Sequence, residues 1–166
     1  DKLKKRNLPI RIIGAGSNLL INDGRINSAV IKLSQPYFKN LIIEEETVYA
    51  GAGLLISEFL KKIIAKSLSG AEFLAGLPAT IGGAIMTNAG TKNKYISDIL
   101  NYIDVVDYNG NKKRLLRKDI NFSYRYSGLS KYIILAASFK VKKSKITQIK
   151  NKIKKIIDFR MRNQDW

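Results

Sequence analysis

The stretch from Gly70 to Gly90 is so rich in glycine and alanine that it constrains the fold more than any other part of the sequence. Side chains this small bury little apolar surface, so the stretch cannot supply a core by itself. Small residues suit places where backbone must lie close to a flat or anionic ligand, because no Cβ branch stands in between. The stretch therefore predicts a ligand-binding segment, and within it Thr80 to Met86 predicts a short helix whose free N–H groups face a phosphate.

A second glycine loop follows the β-branched run Ile10 to Ile13, which predicts a buried strand ending in a tight turn. Successive N–H groups in such a turn form a concave nest for phosphate oxygens, and the hydroxyl and amide side chains add donors. A dinucleotide fingerprint needs a third glycine where Leu19 stands, and a Walker loop needs Gly-Lys-Ser/Thr, so neither motif is present. A plain turn remains an alternative. The loop consists of Gly14, Ala15, Gly16, Ser17, Asn18 and Leu19.

Composition excludes several kinds of chemistry. The 166 residues contain no cysteine and no histidine, which rules out disulfides, thiolate zinc sites, Ser-His catalysis and imidazole metal ligands. The consecutive residues Glu44 to Glu46 predict a solvated turn rather than a metal site, because neighbouring carboxylates on a hairpin tip point apart. We therefore expect no metal. No apolar run spans a bilayer and no signal-peptide pattern opens the sequence, so we expect a cytoplasmic protein without a membrane segment.

The charge balance is strongly basic, with 30 Lys plus Arg against 13 Asp plus Glu and a formal net charge of +17. A nucleic-acid-binding domain is one interpretation, since excess positive charge attracts phosphate. The lysines are scattered, however, and form no basic-aromatic stripe of the RNA-binding kind. Solvated surface lysine is the favoured interpretation, with no nucleic-acid partner and with a field that helps small anions arrive.

Periodicity indicates an α+β protein. Pro9 ends a polar helix over Lys2 to Asn7, Asn109-Gly110 predicts a two-residue hairpin turn, and Ser144 predicts an N-cap. Strand–helix alternation followed by hairpins predicts two lobes, 1–70 and 71–166. The last helix is amphipathic, and covering a sheet is favoured over lying on a membrane surface. Strands are predicted over 10–13, 29–33, 41–43, 47–50, 103–108, 112–116 and 132–141, and the longer helices over 56–64 and 144–162.

Three ordered blocks of this sequence resemble one enzyme family, that of UDP-N-acetylenolpyruvoylglucosamine reductase. Its members typically have Gly-x-Gly-Ser-Asn, then Gly-x-Pro-Gly-Thr-x-Gly-Gly-Ala with Asn-Ala-Gly, then Tyr-Arg-x-Ser. The corresponding blocks lie at residues 14–18, 76–90 and 124–127, and the resemblance spans essentially the whole chain. Ala79 departs from the pattern because it stands where the family usually has glycine, which bears only on the local turn.

The resemblance implies a two-lobed α+β FAD-binding fold of the vanillyl-alcohol-oxidase/p-cresol-methylhydroxylase type. It implies that FAD, reduced by NADPH, passes hydride to the enolpyruvyl group of a UDP-sugar, which gives UDP-N-acetylmuramate for peptidoglycan synthesis. A monomer is expected. The implied cofactor contacts are Gly14, Ala15, Gly16, Ser17, Asn18, Leu19, Gly76, Leu77, Pro78, Thr80, Gly82, Gly83, Asn88 and Gly90.

Arg125 is the candidate catalytic residue. Its guanidinium fork suits a carboxylate and the negative charge that develops on it, although the residues alone favour a surface arginine stacked between Tyr124 and Tyr126. The resemblance favours the first interpretation, in which Arg125 binds the substrate and assists the enolate. It also implies that Tyr124 contacts the substrate or flavin and that Ser127 supports by hydrogen bonding.

Two elements of the family pattern have no counterpart here. The family's proton-donating serine lies in a later Gly-Ser-x-Phe-Lys-Asn-Pro loop, and a second acid, a glutamate, comes near the C-terminus. We therefore expect this chain to be the flavin-binding part of the enzyme, without the third domain, which binds the substrate. We expect no turnover by this part alone. The strand and helix with which the family normally begins are also expected to be absent. Another noncovalent FAD oxidoreductase of the same fold remains the alternative, since covalent attachment through histidine or cysteine is impossible.

Overall fold

The computed structural model describes residues 8–21 and 23–163, so the helix predicted over Lys2 to Asn7 lies outside the described residues. Within them the strands are β1 (Ile10–Ile13), β2 (Ala29–Lys32), β3 (Leu41–Glu44), β4 (Thr47–Gly51), β5 (Leu68–Ser69), β6 (Gly90–Thr91), β7 (Lys94–Tyr95), β8 (Leu100–Asp107), β9 (Lys112–Leu116), β10 (Tyr132–Lys140) and β11 (Lys142–Lys143). The helices are α1 (Ile56–Ala65), α2 (Ile81–Met86) and α3 (Ile146–Asn163). The predicted mixture of helices and hairpin strands is present.

A five-stranded antiparallel sheet, ordered β3-β4-β10-β8-β9, forms the centre of the molecule. β10 lies in the middle and pairs with β4 on one side and β8 on the other, so the sheet joins strands from both sides of residue 70. That residue is thus not a boundary between sheets, and the division into lobes 1–70 and 71–166 stays a prediction. β1 and β2 form a separate parallel pair.

The core forms where α1 packs on the sheet. The helix buries Ile56, Phe59, Leu60 and Ile63, which recur at the three- and four-residue spacing of one helical face, as the sequence predicts. The Phe59 ring packs edge-on against Phe139 of β10, with centroids 5.4 Å apart. Edge-to-face packing of buried rings adds to the stabilisation that their apolar area supplies.

The β8–β9 connection differs from the two-residue turn predicted at Asn109-Gly110. The strands end at Asp107 and resume at Lys112, which leaves a four-residue loop. The Asp107 carboxylate accepts hydrogen bonds from the backbone N–H groups of Asn109 and Asn111, at 2.8 and 2.9 Å, and so widens the turn. Gly110 occupies the left-handed region with φ +93°, as a glycine does most easily.

Helix α3 packs against β5 and the 3-10 turn Glu72–Leu74. Ile149 is fully buried, whereas Ile146 and Ile157 at the edges of the predicted apolar face are exposed. The predicted N-cap at Ser144 is wrong. The helix begins at Ile146, and the Ser144 hydroxyl bonds the Gln148 side chain rather than a backbone amide. Within residues 8–21 and 23–163, no helix combines the length and apolarity needed to cross a membrane.

Glu72 lies in the 3-10 turn and connects this turn to α3 through an ion pair. The carboxyl is buried and accepts hydrogen bonds from the Ser69 hydroxyl and the Gly70 N–H, and Lys152 of α3 lies 3.6 Å away. Burial favours the protonated form, but the hydrogen bonds and the Lys152 ammonium outweigh it, so the pKa of Glu72 falls below its ordinary value of 4.5. The ionised form therefore stabilises the fold.

We expect Glu72→Gln to lower the free energy of unfolding by about 1–3 kcal/mol at neutral pH. The glutamine NH₂ group would replace one carboxylate oxygen and would face the Ser69 hydroxyl or the Gly70 N–H, which are donors themselves. A group with a lowered folded-state pKa stabilises the protein above its unfolded-state pKa, and this stabilisation is lost as pH falls through the folded-state value. The difference from wild type should therefore shrink below pH 4.5. Urea unfolding at several pH values measures it, with exposed Glu44→Gln as the control. A difference that stays constant with pH would contradict this role.

Candidate functional site

The first cleft lies where three small-residue segments meet, and its volume is about 570 Å³. The loop after β1 forms one wall, the Ala52-Gly53 segment after β4 another, and the start of α2 the third. This volume falls within the range of cofactor sites, and its walls are mainly apolar, as in such sites. The predicted residues that line it are Gly14, Ala15, Gly16, Ser17, Asn18, Leu19, Thr80, Gly82 and Gly83.

The loop after β1 lines this cleft and carries open hydrogen-bond donors. Within the described part of the chain, the amides of residues 15–18 donate to no backbone carbonyl. Gly16 has φ +84°, and among the described residues the one heavy atom near an added Cβ is Ile13 Cδ1, 4.0 Å away. Because adjacent unpaired N–H groups and a positive-φ glycine are the ingredients of an anion nest, this loop suits phosphate oxygens.

The start of α2 does not offer the free N–H groups predicted for it. Ile81 N–H donates to the Leu54 carbonyl and Gly82 N–H to the Ala52 carbonyl, each at 2.8 Å. Thr80 caps the helix, since its Oγ1 accepts from Gly83 N–H at 3.2 Å. The prediction of amides that face a ligand is therefore wrong, and Gly82 and Gly83 contribute room rather than donors.

Glycine is needed for these segments to approach each other. A Cβ on Gly14 would lie 2.7 Å from Thr80 Oγ1, and one on Gly82 would lie 3.0 Å from the Ala52 Cβ. A Cβ on Gly53 would overlap the Leu33 carbonyl oxygen. The close contacts that place loop, strand end and helix around one cleft therefore depend on the missing side chains.

Several cleft residues were not identified from the sequence. Lys32, Ser34 and Lys39 line the cleft beside the loop, and residues 132–134 of β10 form part of its wall. Two lysines give it positive charge that suits an anionic group. Only the wall formed by Ala52 and Gly53 could have been found from the sequence, because Gly51-Ala52-Gly53 repeats the Gly-Ala-Gly pattern of the first loop.

The second cleft, of about 680 Å³, is lined by Asn88, Gly90, Tyr124 and Arg125 among others. Tyr124 and Arg125 lie at the tip of a two-residue turn closed by reciprocal hydrogen bonds between Ser123 and Tyr126, at 3.0 and 3.2 Å. Arg125 is exposed and has φ +56°, a backbone conformation that costs energy for a residue with a Cβ. Arg125 does not stack on either tyrosine, since the cation–ring contacts in the described residues involve Lys94, Arg114 and Arg117.

Buried polar residues hold the Arg125 turn in place. The Ser127 hydroxyl donates to the Met86 carbonyl at the end of α2, at 2.8 Å. The Asn88 amide donates to the Ser123 carbonyl at 3.0 Å and accepts from Ser97 N–H at 3.4 Å. Ser127 therefore supports the Arg125 turn by hydrogen bonding, and its role in the reaction stays a prediction. Asn88, predicted as a cofactor contact, uses its side chain to hold the turn and borders the second cleft instead of the first.

The remaining predicted residues lie apart from both clefts. Within the described residues, Gly76, Leu77 and Pro78 line neither the first cleft nor the second, although Ala79 directly after them reaches the first. Gly76 has φ +79°, and Ala79 accepts a hydrogen bond from Ile56 N–H at 2.9 Å. These residues shape the approach to α2, and their role as cofactor contacts stays a prediction.

Comparison with known proteins identifies the fold family. The family model described as "FAD binding domain" matches residues 2–115, more than half of the chain. The chain belongs to the FAD binding domain family. A cholesterol oxidase from B. sterolicum has a similar fold, with a TM-score of 0.64 at 16% identity over 84% of this chain and 30% of that one. The predicted α+β fold and FAD as the cofactor are thereby confirmed.

More similar proteins carry one enzyme name, UDP-N-acetylenolpyruvoylglucosamine reductase. The protein from Moorella thermoacetica is 39% identical over 76% of this chain and 41% of its own length. That from Rickettsia prowazekii is 37% identical over 96% and 54%. The solved structure from Thermus caldophilus has a TM-score of 0.85 at 27% identity, over 99% of this chain and 60% of its own. This chain thus spans about half the length of the curated relatives it matches.

The first cleft fits the cofactor of this family. FAD is a long molecule with an anionic diphosphate between an apolar ring and a nucleoside. The open amides of residues 15–18 and the side chains of Lys32 and Lys39 suit the diphosphate. The side chains of Ile12, Ile13 and Leu55 on the cleft walls suit the rings.

Proposed function

We propose that this chain holds FAD in a UDP-N-acetylenolpyruvoylglucosamine reductase, which uses NADPH to reduce the enolpyruvyl ether of a UDP-sugar to UDP-N-acetylmuramate. The observation that carries the proposal is that one short helix, α2, lines the first cleft and also holds the turn that bears Arg125. Met86 of α2 lines the first cleft, and its carbonyl accepts the hydrogen bond from Ser127, two residues after Arg125. A flavin site and an exposed arginine are thus tied to the same element. The names of the relatives at 37–41% identity support the substrate.

The glycine loop after β1 and helix α2 contribute to cofactor binding in different ways. The open amides of residues 15–18 bind the diphosphate, while Gly82 and Gly83 keep side chains out of the space beside it. The Thr80 cap holds Gly83 in position through its hydrogen bond. When bound, FAD supplies hydride transfer, and the protein supplies position and electrostatics.

Arg125 acts on the substrate. Its guanidinium binds the enolpyruvyl carboxylate bidentately and stabilises the negative charge that grows there as the double bond is reduced. The strained φ of +56° persists because Asn88 and Ser127 fix the turn from both sides. A preorganised cation of this kind pays no reorganisation cost when the charge develops. Tyr124, 77% exposed beside it, is placed to contact the substrate.

Anaerobic mixing tests the proposal on the protein as its gene encodes it. We expect NADPH to bleach the flavin absorption of the FAD-loaded protein. Adding the enolpyruvyl ether of UDP-N-acetylglucosamine should then restore it with formation of UDP-N-acetylmuramate. UDP-N-acetylglucosamine itself is the matched control and should not restore it. Reduced flavin that is reoxidised by oxygen but not by the ether would contradict the proposed substrate.

A further inference from the structure

The second cleft is strongly positive beyond what Arg125 alone provides. Its lining contains four cationic side chains, and in the described residues no aspartate or glutamate lines it. The Asn93 amide and the Tyr95 phenol add hydrogen-bond donors. A concave surface with one sign of charge concentrates ions of the opposite sign. The four cationic residues are Lys92, Arg125, Lys155 and Arg160.

Arg160 breaks the amphipathic pattern of α3. It is only 4% exposed, whereas its neighbours Phe159 and Met161 are 63% and 65% exposed. A helix that merely packed against the protein would bury the aromatic ring and leave the arginine in water. The inversion places a guanidinium at the wall of the second cleft, and Arg160 Nη2 is held there by a hydrogen bond to the Phe73 carbonyl at 3.3 Å.

Both arginines line the second cleft. Burial lowers the pKa of Arg160, and the charge of Arg125 lowers it further. Two guanidinium groups at one cleft suit an oxyanion, which accepts hydrogen bonds from both. Departures from local rules that persist in a fold are concentrated at functional sites, and both the buried Arg160 and the positive-φ Arg125 are such departures.

We propose that Arg160 and Arg125 form a two-arginine receptor for an oxyanion group of the ligand in the second cleft, with Arg160 as a second binding residue. The inference rests on the proposed function for the identity of the ligand. Two oxyanions of that ligand have this chemistry, the enolpyruvyl carboxylate and the nucleotide diphosphate, since both accept a guanidinium fork. Arg160 binds without taking part in hydride transfer, so its loss acts on affinity more than on the chemical step.

The test compares Arg160→Gln with Arg162→Gln in the FAD-loaded protein. Arg162 lies on the same helix but is exposed, so its substitution removes the same charge away from the cleft wall. Calorimetry measures binding of UDP-N-acetylglucosamine and of its enolpyruvyl ether. We expect Arg160→Gln to weaken binding by about tenfold or more and Arg162→Gln to change it by less than about twofold. If Arg160→Gln weakens binding of the ether alone, the oxyanion bound by the two arginines is the enolpyruvyl carboxylate. If it weakens binding of both nucleotide sugars equally, the oxyanion is the diphosphate.

Unchanged affinity in Arg160→Gln relative to Arg162→Gln overturns the inference. If wild type binds neither nucleotide sugar, the proposed substrate is wrong, and inorganic pyrophosphate becomes the ligand tested. If wild type binds pyrophosphate and Arg160→Gln binds it more weakly, the two-arginine receptor is still supported. If wild type does not bind pyrophosphate, or if Arg160→Gln binds it as tightly as wild type, the inference is overturned. If Arg160→Gln does not fold, Arg160→Lys decides. Lysine keeps the charge but not the fork, so we expect several-fold weaker binding, and wild-type affinity would overturn the inference.

Discussion

Arg125→Ala is expected to slow reoxidation of the reduced flavin by the enolpyruvyl ether about a hundredfold or more, while the reduction by NADPH stays at the wild-type rate. Removing one preorganised group that stabilises developing charge typically has an effect of this size. The exposed Arg125 side chain is not needed for the core, and the turn is held by Asn88 and Ser127, so the substitution leaves the fold intact. Anaerobic stopped-flow absorbance measures the two half-reactions separately.

Two further variants make this result specific. Arg162→Ala removes an exposed arginine away from the Arg125 turn and should reoxidise like wild type. Arg125→Lys keeps the positive charge but loses the fork, so an intermediate rate is expected. Wild-type reoxidation in Arg125→Ala would remove this arginine from the mechanism, whatever the effect on binding.

Gly16→Asn is expected to weaken FAD binding at least tenfold, which is a loss of about 1.4 kcal/mol or more. Asparagine tolerates the left-handed backbone region better than other residues with a Cβ, so the loop keeps its φ of +84°. Its side chain then fills the space beside the open amides of the nest. Fluorescence titration measures the affinity, because the emission of FAD changes when it binds.

The sequence predicts the local elements well where one short pattern decides them. The stripe of Ile56, Phe59 and Ile63 predicts α1 because burial on one face requires only that spacing. The β8–β9 turn was predicted less well, since the Asp107 carboxylate competes with the two-residue turn that Asn109-Gly110 favours.

The candidate site was predictable as a set of glycine-rich segments but not as an arrangement. The partners of the α2 amides, the Leu54 and Ala52 carbonyls, come from a segment about thirty residues earlier, and no pattern within 76–90 reveals them. Asn88 is a residue type that often contacts ligands, yet its side chain donates a hydrogen bond to the Ser123 carbonyl, 35 residues away. Arg160 was missed for the opposite reason, because an arginine on a basic helix predicts a solvated position.

The partner and location predictions rest on the sequence. A monomer, the cytoplasm and the lack of a nucleic-acid partner stay predictions, as does NADPH as the hydride donor of this chain. The scattered lysines add positive field around two clefts that both suit anions, which agrees with the interpretation of the net charge as an aid to small anionic ligands.

The measurement that tests the account most directly is FAD titration of wild type, Gly16→Asn and Gly110→Asn side by side. Gly110 is the matched control, since it is also a positive-φ glycine, at φ +93°, but lies on an exposed hairpin with no atom within 4 Å of an added Cβ. We expect wild type and Gly110→Asn to bind FAD equally and noncovalently, with release on denaturation, and Gly16→Asn to bind at least tenfold more weakly. Equal affinity in all three proteins would contradict the first cleft as the FAD site.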